Sequence, residues 1–218
     1  MGQELVETVR RWSENRAHTL PEGTLERLET LCELWIRYAR SMNLTSASSQ
    51  SQLIDHIVDG LDCLACAAAC GVGPTGRWLD VGSGGGFPGL VVAAASKFDV
   101  ALVEPRQKRA AFLDLAIGAI KTGSTGVFRA RWGDSTWNEK VLGGTLAGHR
   151  VGFVVASARA VFKPAEWLEK GMHVVQPGGI VLVHLSHVAE SPDPASVCAK
   201  MVGTHGVVTG HRVPEERS

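Results

Sequence analysis

No apolar run in this chain of 218 residues approaches the ~20 residues that a membrane-spanning helix needs, so no membrane span is expected. The N-terminus, Met1-Gly-Gln-Glu-Leu-Val-Glu, lacks the basic-then-apolar layout of a secretory leader. Neither sign of charge is in excess: 22 basic residues face 22 acidic ones, so affinity for nucleic acid would have to come from a local basic patch. The five cysteines are an odd number in a chain of this length and do not look like a disulfide framework. A reduced, cytoplasmic setting follows as the expectation. There is no Gly-x-Ser-x-Gly elbow and no phosphate-loop lysine, which removes serine hydrolases and P-loop nucleotidases. No internal repeat or low-complexity tract is present.

What remains is an ordinary globular composition, 44% hydrophobic and 20% charged, ample for one α/β domain with an appendage. Residues 1–71 read as a helical extension. Leu25, Leu28, Leu31, Trp35, Ile36, Ala39 and Met42 recur at three- and four-residue steps, giving one apolar stripe on a helix that Pro21 opens. A polar linker over 43–51 precedes another helix from about Gln52 to Cys70, and Gly71-Val-Gly-Pro-Thr-Gly marks a boundary. From 72 to 218 short apolar runs alternate with helical stretches. The expected strands are 77–81, 99–104, 126–130, 152–157 and 179–184; the expected helices are 87–97, 106–121, 163–175 and 193–203. Such alternation implies a parallel sheet with helices on both faces.

The most informative stretch is Asp80-Val-Gly-Ser-Gly-Gly-Gly-Phe-Pro-Gly89, set between an expected strand and an expected helix. Open α/β sheets bind ligands where strands end in this way. Glycines there adopt positive φ and let a ligand approach the backbone. The loop could hold a dinucleotide pyrophosphate or S-adenosylmethionine. Its spacing, Asp-x-Gly-x-Gly-x-Gly, resembles the first motif of S-adenosylmethionine-dependent methyltransferases. The dinucleotide pattern would need Gly where Phe87 stands. Glu104 ends the second expected strand about 20 residues further on, where an acid accepts from ribose hydroxyls; the bland alternative is a helix-starting acid favoured by the helix dipole. Arg106, Lys108 and Arg109 could contact phosphate, but from composition a solvated helix face is the better reading. Cys63, Cys66 and Cys70 fall on one helix face, where free thiols pack as small hydrophobes, so no metal is expected. His184 and His187 show no ligand spacing with an acid. Amino-group and C5-pyrimidine methylation use an Asn-Pro-Pro-Tyr-type motif or a Pro-Cys pair, both missing here. An acceptor with a free lone pair, such as purine N7, needs only alignment with the methyl group.

On these residues the chain resembles the bacterial 16S ribosomal RNA guanine-N7 methyltransferase family (RsmG, also called GidB). The correspondence runs from Asn43-Leu-Thr45 through His56-Ile-Val-Asp59-Gly-Leu61 to the Gly-rich loop with its Phe87-Pro88-Gly89 ending. It continues through Lys108-Arg109 with Phe112-Leu113, Arg159-Ala160 and Pro177-Gly178-Gly179. The resemblance implies a Rossmann-like S-adenosylmethionine-dependent methyltransferase sheet with an N-terminal helical extension, packed as one unit. It implies a monomer acting on 16S rRNA or the 30S subunit. Asp80, Gly82, Ser83, Gly84, Gly86, Phe87, Glu104 and Arg131 would then serve the cofactor, while Asn43, His56 and Arg159 would carry the substrate side, with Asp59 beside them. This chain departs from the family at Asp55, Gly133, Ala158 and His184-Leu-Ser-His187. It also offers only Val207–Val213 as a strand after the fifth, leaving the family's final strand pair incomplete. The alternatives are a divergent methyltransferase on another RNA or a small molecule, or a non-catalytic S-adenosylmethionine-binding module associated with the ribosome.

Overall fold

The computed structural model describes residues 2–42, 49–122, 125–134, 137, 141, 152–187 and 189–215, with the side chains of 39–42 left aside. Three helices come first: α1 (Gly2–Arg16), α2 (Thr24–Met42) and α3 (Gln50–Ala69). The apolar stripe of α2 buries Leu28, Leu31 and Trp35 completely, whereas Ile36 is 54% exposed. Each buried leucine contributes roughly 1.5–3 kcal/mol. In α3 Ser49 caps the N-terminus and Gln52 answers it, a reciprocal capping box. Trp12 Nε1 of α1 donates to Asp62 Oδ1 of α3 at 2.9 Å, and the Arg16 guanidinium pairs with the same carboxylate at 3.0 Å. Expected residues 43–48, Asn43 included, lie outside the described residues.

The alternating half of the chain then gives β1 (Thr75–Val81), α4 (Gly89–Ala95), β2 (Lys97–Val103), α5 (Gln107–Ile120), β3 (Gly126–Phe128), β4 (Phe153–Ala158), α6 (Pro164–Val174) and β5 (Val175–Leu185). A short 3-10 turn (Pro194–Ser196), β6 (Val197–Val202) and β7 (Val207–Arg212) complete it. One sheet has the order β3-β2-β1-β4-β5-β7-β6. β1 to β5 run parallel, and β7 inserts antiparallel between β5 and β6. Successive strand residues point to opposite faces. Trp78, Val100, Leu102 and Val155 therefore meet the cluster formed with α1–α5, while Leu79, Val81, Ala101 and Ala156 meet α6 through Trp167 and Leu168. Helices cover both faces, as expected. The three N-terminal helices share their core with the sheet rather than keeping one of their own.

Two expectations are overturned. Residues 193–203 are not a helix: after the 3-10 turn they form β6, in which half-buried Val197, Ala199 and Met201 alternate with exposed Cys198, Lys200 and Val202. The period is two, and β7 supplies the partner that satisfies the backbone, so the final strand pair is present. The cysteines do not all remain free either. Cys70, at the end of α3, is disulfide-bonded to Cys198 on β6, while Cys32, Cys63 and Cys66 are free and buried. β5 also begins earlier than expected, with Pro177-Gly178-Gly179 inside it and a register irregularity against β4 between Phe153 and Val155.

Candidate functional site

A cleft of about 530 Å³ opens at the C-terminal ends of β1, β2 and β4, lined by the Gly82–Gly85 loop, Phe87, Glu104, Arg106, Arg109, Arg159 and His56 among others. That volume is in the range of small-molecule sites, and its place is the crevice where strand order reverses in parallel sheets.

The loop is held from three sides. Backbone N–H groups of Gly82 and Ser83 donate to the Val103 carbonyl at 2.8 and 3.0 Å, which ties β1's exit to β2. The buried Glu104 carboxylate accepts from the Gly84 N–H at 3.0 Å and from the Arg106 N–H at 2.8 Å, clamping the loop to the start of α5. From α2, Trp35 Nε1 donates to the Gly85 carbonyl at 2.6 Å, and its ring stacks on Phe87 at 4.3 Å. Gly84 has φ +56° and an added Cβ would find only ordinary contacts, one of them with Arg109. Gly82 has φ +70°, and a Cβ there would collide with Val161. This bare backbone is a cradle for a ligand that packs against peptide groups, and the residues present fit an adenosine-bearing cofactor.

Asp80 lies beneath the loop. It is 1% exposed and accepts from Ser157 Oγ at 2.8 Å. Burial pushes its carboxyl up to about 6, with the hydroxyl hydrogen bond from Ser157 pulling back. Ser83 turns its hydroxyl to the Asp80 carbonyl at 2.9 Å, and Gly86 closes the turn through its N–H to the Ser83 carbonyl at 2.7 Å. Asp80 and Gly86 shape the loop without lining the cleft, whereas Ser83 does both. Arg131 is exposed on the turn after β3, away from the cleft lining, with its backbone N–H on Asp134 at 3.1 Å.

Opposite the loop, α3, the end of β4 and the β6–β7 turn meet. Arg159 Nη2 is 3.0 Å from Asp59 Oδ2, and His205 Nδ1 is 2.8 Å from the same oxygen. The His56 ring stacks on His205 at 4.7 Å and tilts against Phe87 at 5.2 Å. Burial, aided by the positive Arg159, lowers His56 to about 4, so its imidazole is neutral near pH 7. His184, from β5, is lowered to about 4 chiefly by burial and stands 3.8 Å from the Cys63 thiol.

The sequence-predicted set thus divides. Gly82, Ser83, Gly84, Phe87, Glu104, His56 and Arg159 meet around one cleft; Asp80 and Gly86 support it; Arg131 stands apart; Asn43 lies outside the described residues. Sequence reasoning treated Arg106 and Arg109 as a solvated face, yet both line the cleft. It missed Trp35 as a loop clamp and His205 altogether. Trp35 was visible only as a member of the stripe, and His205 carried no local signal.

Comparison with known proteins places this geometry. Residues 24–191 match the family model described as rRNA small subunit methyltransferase G. The protein named ribosomal RNA small subunit methyltransferase G from Brucella ovis is 35% identical over 154 residues, covering 68% of this chain and 67% of its own length. The protein of the same name from Jannaschia sp. is 41% identical over 96 residues, covering 41% of this chain and 44% of its own length. The match thus spans less than half the length of the Jannaschia protein and two thirds of the Brucella one. Among solved structures, an O-methyltransferase from Bacillus cereus in complex with SAH gives a TM-score of 0.55 at 16% identity, covering 84% of this chain and 90% of that one. That likeness shows a shared Rossmann-like α/β fold. Taken with the match over 24–191, the chain belongs to the rRNA small subunit methyltransferase G family.

Proposed function

We propose that the protein is an S-adenosylmethionine-dependent methyltransferase acting on a guanine N7 of 16S rRNA. The observation that carries this reading is the cleft. A glycine cradle clamped by Glu104 and Trp35 faces three arginines, Arg106, Arg109 and Arg159, in a chain of this family. Bound at the loop, the cofactor supplies a methyl group on an activated sulfonium. The N7 lone pair forms the new carbon–nitrogen bond as the carbon–sulfur bond breaks, and the positive charge passes from sulfur to the purine. No proton has to be removed from N7, so the protein needs no general base and works by alignment.

The roles divide by position. Gly82, Gly84 and Phe87 present the loop, and Glu104, whose oxygens keep lone pairs beyond their two backbone bonds, receives ribose hydroxyls. Arg106 and Arg109 take phosphate or the cofactor's carboxylate. Arg159, oriented by Asp59, faces an extruded base beside His56, the stacking and guanidinium recognition that single-stranded RNA favours. We place the protein in the cytoplasm as a monomer, with 16S rRNA or the 30S subunit as acceptor.

The test is calorimetric titration with S-adenosylmethionine followed by tritiated methyl transfer to 30S subunits and to naked 16S rRNA, mapped by nuclease digestion. Cofactor binding and a single labelled 7-methylguanine are expected. Absence of cofactor binding would overturn the reading, and binding without transfer to either acceptor would leave only a binding module.

A further inference from the structure

His56, Asp59 and His205 offer ligand atoms that all lie within 4.8 Å of one another, two from α3 and one from the β6–β7 turn. Three features distinguish this cluster from a chance meeting of polar surface groups. Among the described residues His56 Nδ1 is buried without a hydrogen-bond partner, a costly state for a ring nitrogen. His205 Nδ1 already points at Asp59 Oδ2, 2.8 Å away, and the two imidazoles are stacked with 28° between their planes. The turn that carries His205 is fixed by the Gly203 N–H donating to the Gly206 carbonyl at 2.9 Å. A small cavity of about 50 Å³ adjoins it, lined by Asp59, Asp62 and His205 among others. It has room for a metal-bound water.

We propose that His56, Asp59 and His205 form a binding site for a divalent first-row transition-metal ion of the zinc class. Two imidazoles and one carboxylate suit such an ion, and three protein ligands leave a position for water. On binding, the ion takes the place of the proton between His205 and Asp59. That proton moves to His205 Nε2 or to solvent, as metal sites require of their ligands. The ion also competes with the Arg159 guanidinium, 3.0 Å from the Asp59 carboxylate. Filling the site therefore clips α3 to the strand hairpin and releases the end of Arg159 toward the cleft.

This inference stands apart from the methyl-transfer reading, because binding is measured with neither cofactor nor RNA. The experiment titrates the full chain with Zn²⁺ by calorimetry and with Co²⁺ by visible absorption. One equivalent is expected, with Co²⁺ d–d bands and no thiolate charge-transfer band, and with a raised melting temperature in Zn²⁺. His205→Gln, on an exposed turn, should weaken binding by at least ~10-fold, the lower end of what even a supporting group of a metal site costs. Asp59→Asn should do the same. Affinity unchanged in His205→Gln, a thiolate band assigning the ion to Cys63 and Cys66, or no binding would each overturn the proposal.

Discussion

On the loop side of the cleft the lining comes mainly from one stretch of chain, in which Glu104 reaches the Gly84 N–H across 20 residues, with Trp35 clamping Gly85 from 50 residues away. On the opposite side Arg159 meets Asp59 across 100 residues, and His205 meets it across 146. The first side is a strand–turn–helix unit whose geometry is set by glycines and by the ends of β1 and β2. The second exists only after the N-terminal helices, the centre of the sheet and the last hairpin have all assembled. A local device can be retained while the rest of the chain changes; a device assembled from three distant segments allows any one of them to change its chemistry.

That difference predicts where a broken link costs most. The hairpin side is tied to α3 by the Cys70–Cys198 disulfide, which closes a separation of 128 residues. Opening a link of that length removes about 3 kcal/mol, the middle of the usual range. Cys198→Ser, or reductant, should therefore lower the melting temperature by roughly 6–12 °C for a chain of this size. Cofactor affinity that survives reduction would locate the disulfide's effect on the hairpin side alone; a loss of affinity would mean that the two sides are one cooperative unit.

The second break lies on the loop side. Gly84→Asp puts a carboxylate where φ is +56° and aims it into the cleft, near the buried Glu104. The dissociation constant for S-adenosylmethionine should rise by at least ~100-fold, about 2.8 kcal/mol, with the hairpin side untouched. Calorimetric affinity within threefold of the wild type would show that the cofactor does not approach this backbone. Arg159→Ala is the counterpart. It should leave cofactor affinity within threefold and slow methyl transfer to 30S subunits by ~30-fold, about 2 kcal/mol. Unchanged turnover would remove Arg159 from the substrate side.

Legibility in the sequence followed the same line. The parallel sheet, the alternation from β1 to α6 and the glycine loop were readable because each rests on local spacing. Glu104 was readable because a strand length fixes its distance from the loop. β6 was misread as a helix because five of its six residues are apolar, so the sequence shows no alternation and the period-two burial arises only beside β7. The Cys70–Cys198 bond and the meeting of His56 with His205 were invisible, since no spacing encodes contacts across 128 and more residues. Arg106 and Arg109 were seen as a cluster, but net neutrality concealed that the helix they start opens onto the cleft. Trp35 shows the intermediate case: its stripe foretold burial, and only the fold revealed that its indole N–H holds the loop.

The smallest expected effect is a change in the slope of stability against pH, because the two sides oppose each other there. Asp80, beneath the loop, has its folded pKa raised to about 6 by burial. Between about pH 4 and 6 the unfolded chain therefore holds fewer protons at this group, and its contribution to stability declines as pH rises. His56 and His184, on the hairpin side, are lowered to about 4, so between pH 4 and 6.5 the unfolded chain holds more protons at them and their contribution grows as pH rises. The contributions partly cancel in the wild type. Asp80→Asn keeps an acceptor for the Ser157 hydroxyl and removes the declining one. Urea midpoints taken across pH 4 to 6.5 should thus climb more steeply in Asp80→Asn than in the wild type. An equal or shallower climb would mean that Asp80 is not the buried acid beneath the loop, and that the cofactor side carries no charge cost to set against the imidazoles.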